Sequence, residues 1–395
     1  MDYVKPNIFY YRIAQGASAL VSSLIFRRKM LRNEIKGKKG AFVVIANHEA
    51  ALDFVNLIGA SSRPMSFVIS KAFFSTLPIR GFMEKMGVIP KQQFQTSVRD
   101  LKRIKTVIDN GEPVVIYPAG LMCEDGLSTP IPSATYKFLK WLDTDVYVAR
   151  ATGSYFVMPK WTSGFRPGRT YMDIYKLFNK EDLATMDLDQ IRQKTDEALL
   201  FDAYREQENV RSVYAKNDHI AGLENVLYIC PHCGEEFTMQ IEGDNTLRCG
   251  SCGYSQQADK YGFLHKTSQH GPEIRYISDW SKRIYNRTKT HLVQHMDTTL
   301  SAKTRFHMIR GNKFQEVGQG ELNLSKEGFS IVGNIAEEEL RLHVPIGNIP
   351  TLPFKPGRYL EVQDGGDIYR CVLEDGRQVI RFINMVKVFY ELKNP

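Results

Sequence analysis

The sequence predicts an α/β domain, then a four-cysteine module, then a small antiparallel β barrel or sandwich closed by a helix. Three observations carry this. Buried-type apolar runs alternate with helical stretches over residues 41–205, two C-x-x-C pairs fall within residues 227–258, and short strands broken by turn signals occupy residues 304–395. A length of 395 residues suffices for two or three domains, and 43% hydrophobic content excludes disorder, collagen and coiled coil for the whole chain. Six cysteines are too few for a disulfide scaffold, and four of them in C-x-x-C pairs point to metal binding in a reducing compartment.

Residues 1–40 hold nine Lys and Arg against two acids, which is seven of the eight net positive charges. The remainder is nearly neutral, so a nucleic-acid face spread over the fold is not expected. Within this segment the apolar stretch Ile13–Phe26 is interrupted by Gln15, Gly16, Ser18, Ser22 and Ser23. It is too short and too broken to span a bilayer, which takes about 20 apolar residues. A secretory signal also fits poorly, because the basic cluster Arg27, Arg28, Lys29 and Arg32 follows the apolar stretch. The expectation is an amphipathic helix lying in the membrane interface, aromatic at its start (Phe9, Tyr10, Tyr11) and basic at its end. A first helix packed on the core with a solvated basic end is the alternative.

Along the α/β domain, Ala41–Ala46 reads as a strand buried on both faces. Residues Met65–Ile69, Pro113–Tyr117, Asp145–Ala149 and Tyr171–Tyr175 are further strands, Ser97–Asp109 and Pro132–Leu142 are helices, and Leu188–Arg205 reads as one closing helix. Residues 206–226 are polar and read as a linker. In the next segment, Cys230-Pro-His-Cys233 and Cys249-Gly-Ser-Cys252 are separated by 15 residues. Each pair offers two thiolates from a tight turn, and together they make a closed tetrahedral shell, so a structural zinc ribbon is expected over 227–258. Residues 259–303 read as a helical linker. Beyond it, Thr304–Arg310, Gly318–Leu324, Phe329–Val332, Glu339–Val344, Arg358–Val362, Asp367–Leu373 and Gln378–Ile380 are expected strands. Phe382, Met385, Val386, Phe389 and Leu392 then fall on one helical face. The topology resembles pleckstrin-homology and GRAM-like modules, without a diagnostic motif.

The chemistry is expected directly after the first buried strand, where Asn47-His48 precedes Asp53. Active sites of α/β folds collect at this end of the strands. His48 suits a general base for an alcohol, and Asp53 suits the group that fixes its tautomer and stabilises the imidazolium. A core histidine beside an N-cap aspartate is the structural alternative. His291 and His295, i and i+4 on a helix, lack a third ligand nearby and read as a packed or solvated face; Cys123 and Cys371 read as ordinary thiols.

Four ordered blocks within residues 1–205 resemble the glycerophospholipid acyltransferase family. They are Asn47-His48 with Asp53; Lys71-Ala-Phe-Phe with Leu77-Pro78, Gly81 and Met86-Gly87-Val-Ile-Pro90; Ile116-Tyr117-Pro118-Ala119-Gly120; and the strand Val146–Ala149. The resemblance implies a peripheral or monotopic enzyme at the cytoplasmic face of a membrane. It would move an acyl group from acyl-coenzyme A or acyl carrier protein to a glycerolipid hydroxyl, with an anionic membrane surface and the lipid acceptor as partners and no nucleic acid. His48 and Asp53 would be catalytic, and Lys71, Gly87, Lys91, Pro118, Ala119 and Gly120 would line the substrate site. Three positions depart from the family pattern: Ala119 stands for a glutamate, and Met122 and Gln93 for arginines. Two cations that would hold an acceptor phosphate are thus missing, with Lys71 and Lys91 as partial substitutes. Glu124 and Asp125, just beyond, read as loop solvation before headgroup binding. A catalytically silent lipid-binding protein on the same scaffold is the competing function, and the intact His48–Asp53 pair argues for the enzyme.

Overall fold

The structure is a computed structural model; it describes residues 5–93, 97–214, 219–243, 245–336, 338–347 and 349–394. Two compact units emerge, Met1–Lys216 and Asn217–Pro395.

The first unit runs α1 (Ile8–Leu24), β1 (Lys29–Asn33), β2 (Val43–Ala46), α2 (Asp53–Ile58), β3 (Ser66–Ser70), α3 (Lys71–Thr76), α4 (Arg80–Lys85), β4 (Ile89–Lys91), α5 (Val98–Asp109) and β5 (Val114–Ile116). It continues through α6 (Ala134–Leu142), β6 (Val146–Thr152), α7 (Ser154–Val157), β7 (Tyr171–Phe178), α8 (Lys180–Thr185), α9 (Leu188–Leu199) and α10 (Ala203–Val210). The strands form one sheet of order β1-β7-β6-β2-β5-β3-β4. Strands β6, β2, β5, β3 and β4 run parallel, whereas β7 is antiparallel to β6 and parallel to β1.

Apolar residues fill both faces of this sheet. Along β2, Val44 and Ala46 join a cluster with Tyr11, Phe67 and Tyr147, while Val43 and Ile45 join one with Ile104, Leu139 and Ile191. Side chains of a strand alternate between faces, so a run without polar residues is what a sheet covered by helices on both sides requires.

Three expectations for this unit are corrected. Residues Leu188–Arg205 are two helices: Asp202 caps α10 by accepting from the amide of Tyr204 at 3.0 Å, and the chain bends at Leu200-Phe201. Helix α10 extends into the expected linker as far as Val210. The basic cluster after α1 is not the end of a helix but the start of edge strand β1. There Arg28 places its guanidinium on the carbonyl of Asn56, and Arg32 pairs bidentately with Asp173 at 2.9 Å.

The second unit contains β8 (Met239–Glu242), β9 (Thr246–Cys249), β10 (Ser255–Ala258), β11 (Leu264–Lys266), α11 (Ile277–Gln294), β12 (Leu300–Arg310), β13 (Lys313–Ser325), β14 (Gly328–Ile335), β15 (Glu338–Pro345), β16 (Phe354–Lys355), β17 (Tyr359–Asp364), β18 (Asp367–Leu373) and α12 (Val379–Lys393). A four-stranded sheet of order β11-β10-β9-β8 carries the cysteines, and a seven-stranded antiparallel sheet of order β15-β14-β13-β12-β18-β17-β16 follows. The segment expected as a helical linker does hold a helix, α11, and that helix is anchored on one face: Trp280 is fully buried and donates its indole N–H to the carbonyl of Ile229 at 3.0 Å. The expected strand Gln378–Ile380 is instead a 3-10 turn, Gly376–Gln378, running into α12. Nearly the whole circumference of α12 is buried, including Val379, Ile383 and Val388 off the face read from the sequence, so its apolar run was long enough to pass for a strand there.

Candidate active site

The C-terminal edge of the parallel strands gathers the residues singled out in the sequence. Asn47-His48 follows β2, Tyr117-Pro118-Ala119-Gly120 follows β5, Lys71 follows β3, and Lys91 ends β4. Neighbouring strands lie about 4.8 Å apart, so Lys71 belongs to a strand about 10 Å from that of His48, and Lys91 to one about 14 Å away.

His48 is fixed by its neighbours. Its Nδ1 lies 3.1 Å from Asp53 Oδ2, and the same oxygen accepts the amides of Glu49 at 2.7 Å and Ala50 at 2.8 Å. Asp53 opens α2 and is almost wholly buried, so the carboxylate is held by the turn that it organises. With Nδ1 engaged by an acceptor, the ring carries its proton there and offers Nε2 to a substrate. The ring leans on Tyr117, with centroids 4.6 Å apart. On its other flank Asn47 prolongs the β2–β6 ladder with its side-chain amide, accepting from the amide of Ala151 at 2.7 Å and donating to its carbonyl at 2.8 Å.

A cleft opens beside His48. It is lined by Pro118 and Ala119 on one side and by Ser128, Thr129 and Ile131 with Leu199–Phe201 on the other. The wall is stitched in place: the amide of Ser128 donates to the carbonyl of Phe201 at 3.1 Å, and the amide of Phe201 donates to Ser128 Oγ at 3.1 Å. His48, Pro118 and Ala119 therefore meet at one cleft, while Lys71, Gly87, Lys91 and Gly120 are not among its lining residues. Gly87, at φ +75°, is pressed against Pro6, where a Cβ would come within 2.6 Å of Cγ. Its place in the structure is thus the docking of the chain that leads into α1. Lys91 is half-buried, and burial lowers its pKa.

The departures from the family pattern acquire partners. Gln93 donates to the carbonyl of Gly120 at 2.6 Å and so ties the second block to the third. Lys160, almost wholly buried, reaches the carbonyl of Met122 at 3.4 Å. Glu124 and Asp125 are buried, which corrects the reading of them as loop solvation. Glu49, Tyr117 and Lys160 were not singled out as site residues. Glu49 sits between His48 and Asp53 in a pattern that leaves its position open, and Lys160 comes from a segment with no sequence signal toward the site.

In the second unit, the thiols of Cys230, Cys233, Cys249 and Cys252 lie within 4.8 Å of one another, with Cys230–Cys252 at 3.7 Å and Cys233–Cys249 at 3.8 Å. A tetrahedron of sulfurs at about 2.3 Å from one ion has edges of about 3.8 Å. The cluster therefore fits a four-thiolate ion. His291 and His295 lie with ring centroids 4.9 Å apart and planes tilted by 45°, and join no cluster of three ligands among the described residues. Burial pushes the thiols of Cys123 and Cys371 up, as for inert core cysteines. Among the described residues, no helix is long and apolar enough to cross a membrane.

Comparison with known proteins gives residues 27–160 as a match to the family described as Acyltransferase. Among solved structures, the chain is similar to the 1-acyl-sn-glycerophosphate (LPA) acyltransferase PlsC from Thermotoga maritima, at 16% identity and a TM-score of 0.42, over 51% of this chain and 78% of that one. No curated protein matches the sequence.

Proposed function

We propose that the acyltransferase-family domain at residues 27–160 transfers an acyl group from an acyl-thioester to a lipid hydroxyl, with His48 as general base. The observation that carries the reading is the His48–Asp53 contact at 3.1 Å, made to an oxygen that two backbone amides already hold. Nε2 of His48 takes the proton of the acceptor alcohol as its oxygen bonds to the thioester carbonyl carbon. The charge that develops on the ring is met by Asp53 across Nδ1. Collapse of the tetrahedral intermediate breaks the carbon–sulfur bond, and the thiolate leaves with the proton returned from Nε2. The donor is coenzyme A or acyl carrier protein, and the acceptor is a glycerolipid. Among the described residues that line the cleft beside His48 none is Lys or Arg, which suits an acceptor whose phosphate, if it has one, lies away from the reacting hydroxyl.

The site works at a membrane surface in this reading, and helix α1 supports it. The helix packs on the domain through Tyr11, Ala14, Ser18 and Ser22 and leaves Phe9, Ile13, Leu20 and Leu24 outward, each about half exposed or more. An outward face of large apolar residues at helical spacing suits the acyl boundary of a bilayer. Arg27 and Lys29 at its end remain exposed and add attraction to anionic lipid. The four cysteines would hold one zinc, which ties the turns after β9 and before β8 and, with four thiolates, leaves no position for chemistry.

The test is turnover over a panel of lipid alcohols with acyl-coenzyme A and acyl carrier protein donors. His48→Ala should lose 10²-fold or more, on the order expected for a lost general base. Wild-type turnover in His48→Ala would remove the mechanism. No turnover by the wild type with any pair would favour the lipid-binding function.

A further inference from the structure

The turn that carries His48 is anchored on three sides. Asn47 is paired with Ala151 of β6, the carbonyl of His48 accepts from the amide of Cys123 at 3.4 Å, and the side chain of Glu49 reaches away from solvent to accept the amide of Tyr155 at 3.0 Å through Oε2. Glu49 is completely buried, and its Oε1 has no hydrogen-bond partner among the described residues. A buried carboxyl with an unmet oxygen costs stability, so the one bond it does make, to the amide of Tyr155, is what the side chain contributes at this position.

We propose that Glu49 is a positioning residue whose carboxyl group clamps the His48–Asp53 turn to the Gly153–Tyr155 turn at the end of β6, holding the imidazole at its working angle. This rests on the reading of His48 as general base. Geometry gives the clamp its leverage. The amide of Glu49 donates to Asp53 Oδ2 at 2.7 Å, so one residue is bound through its backbone to the catalytic carboxylate and through its side chain to the neighbouring strand's end. A shift of Glu49 displaces Asp53 Oδ2 and with it the partner of His48 Nδ1. The groups that face it are Asp53, Glu206, Arg150, Tyr155, Cys123 and Tyr214. Burial first, then Glu206 and Asp53, raise its pKa well above the ordinary carboxyl value, against the amide of Tyr155 and the charge of Arg150. Both causes favour the protonated form of the Glu49 carboxyl.

The experiment uses the full chain with Glu49→Gln, Glu49→Leu and Glu49→Ala. Glu49→Gln keeps a neutral acceptor of the same shape and should stay within about threefold of wild type in kcat and KM. Glu49→Leu and Glu49→Ala should lower kcat by about 10–100-fold while KM moves less than about twofold, the signature of a misplaced catalytic group. Hydrogen exchange at the amide of Tyr155 should accelerate at least tenfold in Glu49→Leu and Glu49→Ala and not in Glu49→Gln. Wild-type kcat in both the Leu and Ala variants, a Gln variant as slow as Leu, or unchanged Tyr155 exchange would each overturn the proposal. The exchange readout needs no turnover, so loss of the general-base reading through an active His48→Ala is seen separately from loss of the clamp.

Discussion

Replacing Asp53 separates what its charge does from what its shape does. Asp53 Oδ2 accepts two buried amides and His48 Nδ1, whereas Oδ1 has no partner among the described residues. In Asp53→Asn the carbonyl oxygen can take the place of Oδ2, so both amides and the Nδ1–H keep their acceptor. The NH2 then occupies the place of Oδ1 as a buried donor without a partner, at a cost of about 1–3 kcal/mol. The turn survives, but the imidazolium loses its anion, and turnover should fall by roughly 10²–10⁴-fold. In Asp53→Ala two buried amides lose their acceptor, about 2–6 kcal/mol together, which is a large share of a typical domain stability of about 5–15 kcal/mol. Urea unfolding of wild type and both variants, run beside the acyl-transfer assay, measures the two effects. The reasoning fails if Asp53→Asn turns over at the wild-type rate, or if Asp53→Ala is as stable as Asp53→Asn.

Three further outcomes follow. Freshly purified protein should contain about one zinc per chain by metal analysis, and Cys230→Ser should lose it and expose Trp280 to quenchers, since that indole packs under the cysteine-bearing strands through the carbonyl of Ile229. Leu20→Asp with Leu24→Asp should release the protein from vesicles at any salt, whereas Arg27→Glu with Lys29→Glu should weaken binding to anionic vesicles mainly at low salt; vesicle flotation that does not change for Leu20→Asp with Leu24→Asp would rule out attachment through α1. Because Glu49 keeps its proton in the fold and releases it on unfolding above the ordinary value of 4.5, its contribution to stability is complete below about pH 4.5 and is lost as pH rises toward its raised value. Wild type should therefore lose stability relative to Glu49→Gln as pH rises above about 5, by up to about 1.4 kcal/mol per pH unit, and a constant gap in urea unfolding would contradict the raised value.

Strands β2, β3 and β5 were legible as strands because their apolar runs suit burial on both faces. The pairings of β1 and β4 were not. Both are short edge strands whose sequences, Lys-Met-Leu-Arg-Asn and Ile-Pro-Lys, show neither a continuous apolar run nor alternation. The split of α9 from α10 escaped because Ile191, Ala198, Leu199 and Ala203 keep helical spacing across the break, while the cap at Asp202 is a local signal that a periodicity argument overlooks. At the candidate site, the spacing of His48 and Asp53 and their place after a buried strand were enough to pair the two side chains, which lie 3.1 Å apart. Glu49 was not legible, since a buried acid is identified by the amide of Tyr155 and its neighbours, 106 positions away in the chain. Arg28 read as a lipid contact because its company was basic, yet its guanidinium is satisfied within the fold by Asn56.

The wall of the cleft opposite Ala119 is built by Leu199, Leu200 and Phe201, beyond the stretch that matches the acyltransferase family; Ser128 holds the backbone of Phe201 through its amide and Oγ, and Arg150 donates to the carbonyl of Leu200. Backbone ties are indifferent to side-chain identity. Packing is not: Leu199 and Phe201 are buried, whereas Leu200 is 40% exposed. On the function proposed above, Leu200 is then the position at which the contour of the cleft can change at least cost to the core and without moving the turn that holds His48.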